Sequence, residues 1–140
     1  MIFIFMTISG FHRHTSSKNI VGVWESEERD LQIEIFDDGG EMSGRMIYFK
    51  CSSDDVMRNC KDTNNPDEAL VTRNLLGLKL VTQLSYKGED VWDDGKIYDP
   101  NSGNTYEARI HLTSANTAIV RGYWKFKWLG RSMAFNRMPK

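Results

Sequence analysis

Period-two alternation, broken at regular intervals by turn residues, is the pattern that most restricts this chain. Leu31-Gln32-Ile33-Glu34-Ile35-Phe36 alternates apolar and polar side chains, as a strand with one wet face must. Thr105 to Leu112 repeats the pattern, with Tyr106, Ala108, Ile110 and Leu112 on one side and Glu107, Arg109 and His111 on the other. Further strands are expected at Gly22 to Ser26, Ser43 to Phe49, Leu78 to Leu84, Val91 to Tyr98, Ala118 to Tyr123 and Trp128 to Arg137. Alternation puts Gly44, Met46 and Tyr48 on one face, and Leu78, Leu80, Thr82 and Leu84 on another. Asp37-Asp38-Gly39-Gly40, Lys87-Gly88-Glu89-Asp90 and Asp99-Pro100-Asn101-Ser102-Gly103 supply the turns, because Gly, Asn and Asp accept positive φ and Pro presets its own. Residues 51 to 72 form a long polar loop with at most one helical turn, near Asp67 to Leu70. About eight strands with no long helix predict an all-β fold, and an antiparallel up-and-down barrel is the closure that leaves no exposed edge.

A chain of 140 residues is one domain's worth. Its 18 basic and 19 acidic side chains leave a formal charge of −1, which argues against a dedicated nucleic-acid binder. The apolar run Met1 to Ile8 is too short to span a bilayer. It is read as the core of an export signal with a clipped or misassigned start, a disordered tail or apolar strand being the alternative. Residues 1–18 are therefore set apart, and a single barrel domain is expected over 19–140. Export to an oxidising compartment would pair Cys51 with Cys60. A zinc site lacks ligands, since the only histidines are His12, His14 and His111.

Several runs resemble the domain of unknown function 2147 family of small exported bacterial proteins. They are Gly22-Val23-Trp24, Arg73-Asn74-Leu75-Leu76-Gly77-Leu78, the stretch Gly95 to Ala108, Arg121-Gly122-Tyr123 and Leu129-Gly130-Arg131-Ser132. The run Gly-x-Ile-Tyr-Asp-Pro-x-x-Gly-x-x-Tyr from Gly95 to Tyr106 carries most of the likeness, which extends over roughly residues 20 to 137. Phe135 departs from it, where members often place Trp, as does the basic Lys125-Phe126-Lys127-Trp128. The resemblance implies a lipocalin-like barrel in the periplasm or outside the cell, and no activity. Gly22-Val23-Trp24 is also similar to the Gly-x-Trp that opens lipocalin-type chains. Their Trp packs under an Arg from the last strand, a part open here to Arg137 or Arg131.

Function is expected in the barrel interior. Trp24, Tyr48, Trp92, Tyr98, Tyr106 and Tyr123 are candidate ligand-binding residues, because aromatic rings give contact area and hydroxyls give orientation. A filled core uses the same residues. Arg121 shares strand parity with Ile119 and Tyr123. If that face is internal, its charge would bind a ligand carboxylate or pair with an internal acid. Asp99 is assigned to the turn. Its spacing to Asn101 and Gly103 imitates a calcium loop, but Ile110 occupies the position where Glu is needed. No cofactor motif is present and no metal is expected. The favoured reading is non-catalytic binding of a small, partly apolar molecule, lipid-like or aromatic and in one version anionic. One alternative is an envelope interaction protein that uses Tyr123, Trp124, Phe126, Trp128 and Phe135 among the cations Arg121, Lys125, Lys127, Arg131, Arg137 and Lys140. The other is a hydrolase or isomerase built on a carboxylate pair with raised pKa values.

Overall fold

The computed structural model describes residues 16–51, 59–124 and 130–140. Eight strands run in chain order: β1 (Gly22–Ser26), β2 (Leu31–Asp38), β3 (Glu41–Phe49), β4 (Lys79–Gly88), β5 (Val91–Asp99), β6 (Asn104–Ser114), β7 (Thr117–Tyr123) and β8 (Gly130–Arg137). Each pairs antiparallel with the next, and β1 pairs with β8, so the sheet closes as an up-and-down barrel. The run Met1 to Ile8 and the basic stretch Lys125 to Trp128 lie outside the described residues.

Cross-strand register decides which side chains face inward. Ile110 opposes Val120, Leu112 opposes Ala118, and Ala118 in turn opposes Phe135. All of these are buried, together with Trp24, Ile33, Ile35, Met42, Met46, Val81, Leu84 and Trp92. The alternate set faces water and carries cross-strand ion pairs, such as Arg45 to Glu34 at 2.9 Å and Lys96 to Glu107.

Bulges break the expected alternation, notably in β3 and β4. On β3, Met46 opposes Ile33 while Tyr48 opposes Gln32, so Ile47 is an extra residue. The insertion turns Tyr48 outward with Gln32, and Tyr48 is 37% exposed rather than sharing the face of Gly44 and Met46. On β4, Lys79, Val81 and Leu84 oppose Arg45, Gly44 and Met42. Two irregularities there bury Leu80, Val81 and Leu84 and leave Thr82 only part-buried. Gln83 adopts φ 61° at the second of them.

One end of the barrel is plugged by the chain entering β1. Ile20 is buried, and its carbonyl accepts from Trp24 Nε1 at 2.8 Å. Trp92 Nε1 donates to the Ser17 carbonyl at 3.0 Å, so the packed structure reaches back into residues set aside on their sequence. Arg137 lies over the Trp24 ring at 4.3 Å and donates to the carbonyls of Val21 at 2.7 Å and Ala115 at 3.0 Å. Such a guanidinium–indole contact contributes about 0.5–2 kcal/mol. Arg137 takes this place because β8 ends here, whereas Arg131 stands at the opposite end of the same strand.

Room for a side chain differs between strands at one level of the barrel, where Gly95 and Gly122 both oppose Ala108. A Cβ at Gly95 would lie 2.6 Å from Leu84 Cδ2, whereas one at Gly122 would meet nothing nearer than Ile97 Cγ2 at 3.7 Å. Gly95→Ala should therefore cost about 1–3 kcal/mol by overpacking. Gly122→Ala should stay within about 0.5 kcal/mol of wild type in urea unfolding. Equal losses at the two sites would contradict this difference in local room.

Candidate ligand-binding cavity

The half of the barrel away from the plug is not filled. A cavity of about 910 Å³ opens between the β1–β2, β5–β6 and β7–β8 corners. Met46, Leu80 and Val120 line its depth, and Ile97, Tyr106 and Gly122 its wall. Glu27, Glu28, Asp30, Asp99 and Arg131 also border it, as do Tyr98, Tyr123, Trp124 and Met133. The volume lies within the range typical of small-molecule sites.

The β1–β2 corner is held by Ser26. Its hydroxyl donates to Asp30 Oδ1 at 2.6 Å and accepts from the backbone N–H groups of Asp30 and Leu31. The β5–β6 corner is held by Asp99, whose carboxylate accepts from Asn101 N–H at 2.9 Å and Ser102 Oγ at 2.8 Å. That carboxylate is committed to the turn. Among the described residues no group of three or more His, Cys, Asp or Glu side chains is arranged to hold a metal.

The long β3–β4 connection supports the β5–β6 corner from outside. Cys51 and Cys60 are joined by a disulfide, closing a loop whose constraint contributes about 2–3 kcal/mol on chain entropy. Asn64 Nδ2 donates to the carbonyls of Pro100 and Asn101, both at 3.1 Å. The connection lies so close that a Cβ at Gly103 would fall 2.1 Å from the Asn64 carbonyl oxygen, and Gly103 also has φ 73°. Only glycine satisfies both conditions.

Asp62 is the hub of this connection, and the sequence did not single it out. It is fully buried, and its carboxylate accepts from Tyr98 Oη at 2.5 Å, Asn65 Nδ2 at 2.8 Å and Arg73 Nε at 2.8 Å. Burial alone would raise its pKa. The donors and the Arg73 charge outweigh that and hold the carboxyl below its ordinary value. Burial, reinforced by the Asp62 carboxylate, pushes the Tyr98 phenol up to about 12. The Arg73 guanidinium lies 5.5 Å from the Tyr98 ring centre. Asp62 and Arg73 fall in a polar stretch with no strand period, so only their convergence on Tyr98 reveals them.

The candidate residues read from the sequence separate into three places. Tyr98, Tyr106 and Tyr123 border the cavity, with Asp99 and Arg131. Tyr106 meets Trp124 edge to face at 5.5 Å, and the Tyr123 hydroxyl donates to Asp93 Oδ1 at 3.4 Å. Trp24 and Trp92 sit in the plug, and Tyr48 faces solvent. Arg121 is also outside the barrel. It opposes Arg109 and Ser132, on the face of Glu107, and donates to Ser132 Oγ at 2.9 Å. The internal-arginine expectation is corrected by register, because Ala118 and Val120 turn inward to meet Phe135 and Ile110 and force the intervening residues outward.

The alternatives find less in this geometry. Asp38 and Asp62 both have pKa values held low, Asp38 by hydrogen bonds from Lys79 and Ser43. That is opposite to the raised value a general acid needs. The basic aromatic surface falls partly on Lys125, Phe126, Lys127 and Trp128, outside the described residues. Within those described, the first hairpin pairs locally, as in Arg29 to Glu25 at 3.8 Å, and Lys79 meets Asp38 at 2.8 Å.

The Asp62 hub yields a signed pH dependence. A carboxyl held low in the folded state contributes stability that is complete above its ordinary value of 3.8, and that is lost as pH falls from there through the folded value. Asp62→Asn should lower stability by about 1.5–3 kcal/mol at pH 7. The gap from wild type should narrow at pH 3, with urea unfolding at both pH values as the measurement. Tyr98 contributes with the opposite sign: its share is lost as pH rises from 10 through about 12.

Protein HP1028 from the human pathogen Helicobacter pylori, described as belonging to the lipocalin family, is similar to this chain in structure. The TM-score is 0.75 at 22% identity, over 86% of this chain and 83% of that one. This likeness shows the fold alone. No curated protein matches the chain. Over residues 22–137 the chain matches the family described as uncharacterized proteins conserved in bacteria, and it belongs to that family, DUF2147.

Proposed function

We propose that the barrel binds a small, partly apolar molecule without catalysis, in the periplasm or outside the cell. The observation that carries the reading is the cavity of about 910 Å³, apolar at depth and polar at its rim, set on a barrel whose other end is sealed. A lipocalin-like fold suits small-molecule binding. Membership of a bacterial family and the Cys51–Cys60 disulfide are consistent with a location outside the cytoplasm. Met46, Leu80, Ile97 and Val120 would contact the apolar part of the ligand, and Tyr106 its polar part. With Arg121 on the outer face, the motive for an anionic ligand is removed.

A neutral fluorescent apolar probe, N-phenyl-1-naphthylamine, tests the reading. Wild-type protein should bind it saturably with a rise in emission. Gly122→Leu should weaken binding by at least about tenfold, because the new side chain occupies the cavity while its Cβ meets no close neighbour. Absent saturation, or equal binding by the variant, would remove the cavity as the site.

A further inference from the structure

Among the described residues, charge at the mouth of the cavity is one-sided. Glu27, Glu28, Asp30 and Asp99 border it, against the single cation Arg131. The ion pairs of the described residues include none of the four acids. Asp30 and Asp99 accept hydrogen bonds from neutral groups that hold their turns. Glu27 and Glu28 are exposed on the β1–β2 corner.

Aromatic surface stands at the same mouth. Trp124 is 54% exposed, and its edge-to-face packing on Tyr106, at 71° between planes, leaves indole surface open. A ring face attracts a cation, most strongly a poorly hydrated one, and carboxylates nearby add to that attraction. Beneath lies the apolar depth of Met46, Leu80 and Val120. An acidic, aromatic rim over an apolar shaft is complementary to one ligand shape: a cationic head on an apolar body. A carboxylate head would meet like charge, which disfavours it.

Resting on the cavity-binding reading, we infer that the ligand is a cationic amphiphile, an alkyl or aromatic body ending in a protonated amine or quaternary ammonium group. Glu27, Glu28 and Trp124 receive the head, and the barrel interior receives the tail. Lys125 and Lys127, which follow Trp124, lie outside the described residues.

The experiment uses three ligands with one tail: dodecyltrimethylammonium, dodecyl maltoside and dodecanoate. Each displaces the neutral probe from the intact, oxidised protein below its micelle concentration. The ammonium ligand should bind tightest, by about tenfold over dodecanoate, and added salt should erode that preference. Glu27→Gln/Glu28→Gln should reduce the ratio of ammonium to maltoside affinity about fivefold, as expected for two partly exposed charge contacts. Trp124→Ala should reduce the same ratio through the ring. The maltoside affinity reports in every variant that the cavity is intact. Equal or tighter binding of dodecanoate, or a ratio unmoved in both variants, overturns the cationic inference and leaves cavity binding standing. No displacement by any of the three, with no saturable probe binding, overturns both readings.

Discussion

The structure depends on a short seam. β1 meets β8 through three residue pairs, Trp24 with Arg137, Glu25 with Asn136 and Ser26 with Phe135. Without that pairing the sheet would be an open ribbon with two bare edges and no inside. A seam this short has few ladder hydrogen bonds of its own, and the side chains around it supply what the backbone does not. Arg137 stacks on Trp24 across the seam and binds the carbonyls of the entering chain, while Phe135 buries against Ala118 from the other side. One arginine thereby joins the first strand, the last strand and the segment that covers the end.

That arrangement divides the interior. At the sealed end, Ile20, Trp24 and Trp92 are buried and fill the interior. Farther along, Gly122 leaves the cavity wall without bulk, since a Cβ there would meet nothing nearer than 3.7 Å. Packing density thus has a functional gradient: stability is concentrated where the indoles are, and room is left where the barrel is open to solvent. A wholly filled barrel would be more stable and would have nowhere to put a ligand.

The open end needs a different kind of support, because its corners cannot lean on a core. Polar anchors take over. Ser26 organises one corner and Asp99 another, and the β3–β4 connection braces the second through Asn64 and Asp62. The buried Asp62 carboxylate is tolerated because three donors surround it, and it binds the connection to β5 through the Tyr98 phenol. The disulfide shortens the same connection covalently. A rim made rigid in this way presents its acids and its exposed indole at fixed positions.

The sequence by itself determined the class of fold, the turns and the pairing of the two cysteines. Each is local chemistry: a period of two, residues that accept positive φ, and two thiols close along the chain. The resemblance to lipocalin-type chains also offered Trp24 and either Arg137 or Arg131 as partners, and closure of the barrel pairs Trp24 with Arg137. The inward face of a strand was legible only where alternation ran unbroken, as in β6. A single extra residue, Ile47, reversed the face of Tyr48, and β4 departed from its pattern in the same way at Leu80 and Gln83. For β7 both parities carried apolar residues, and only the neighbours Ile110 and Phe135 decided that Val120 points in and Arg121 out. Asp62 was illegible for a related reason, since its donors come from Asn65, Arg73 and Tyr98 and meet only after the sheet has closed. Strand period is written in the chain, but register and bulges are set by which strand lies alongside, and that is known only once the barrel exists.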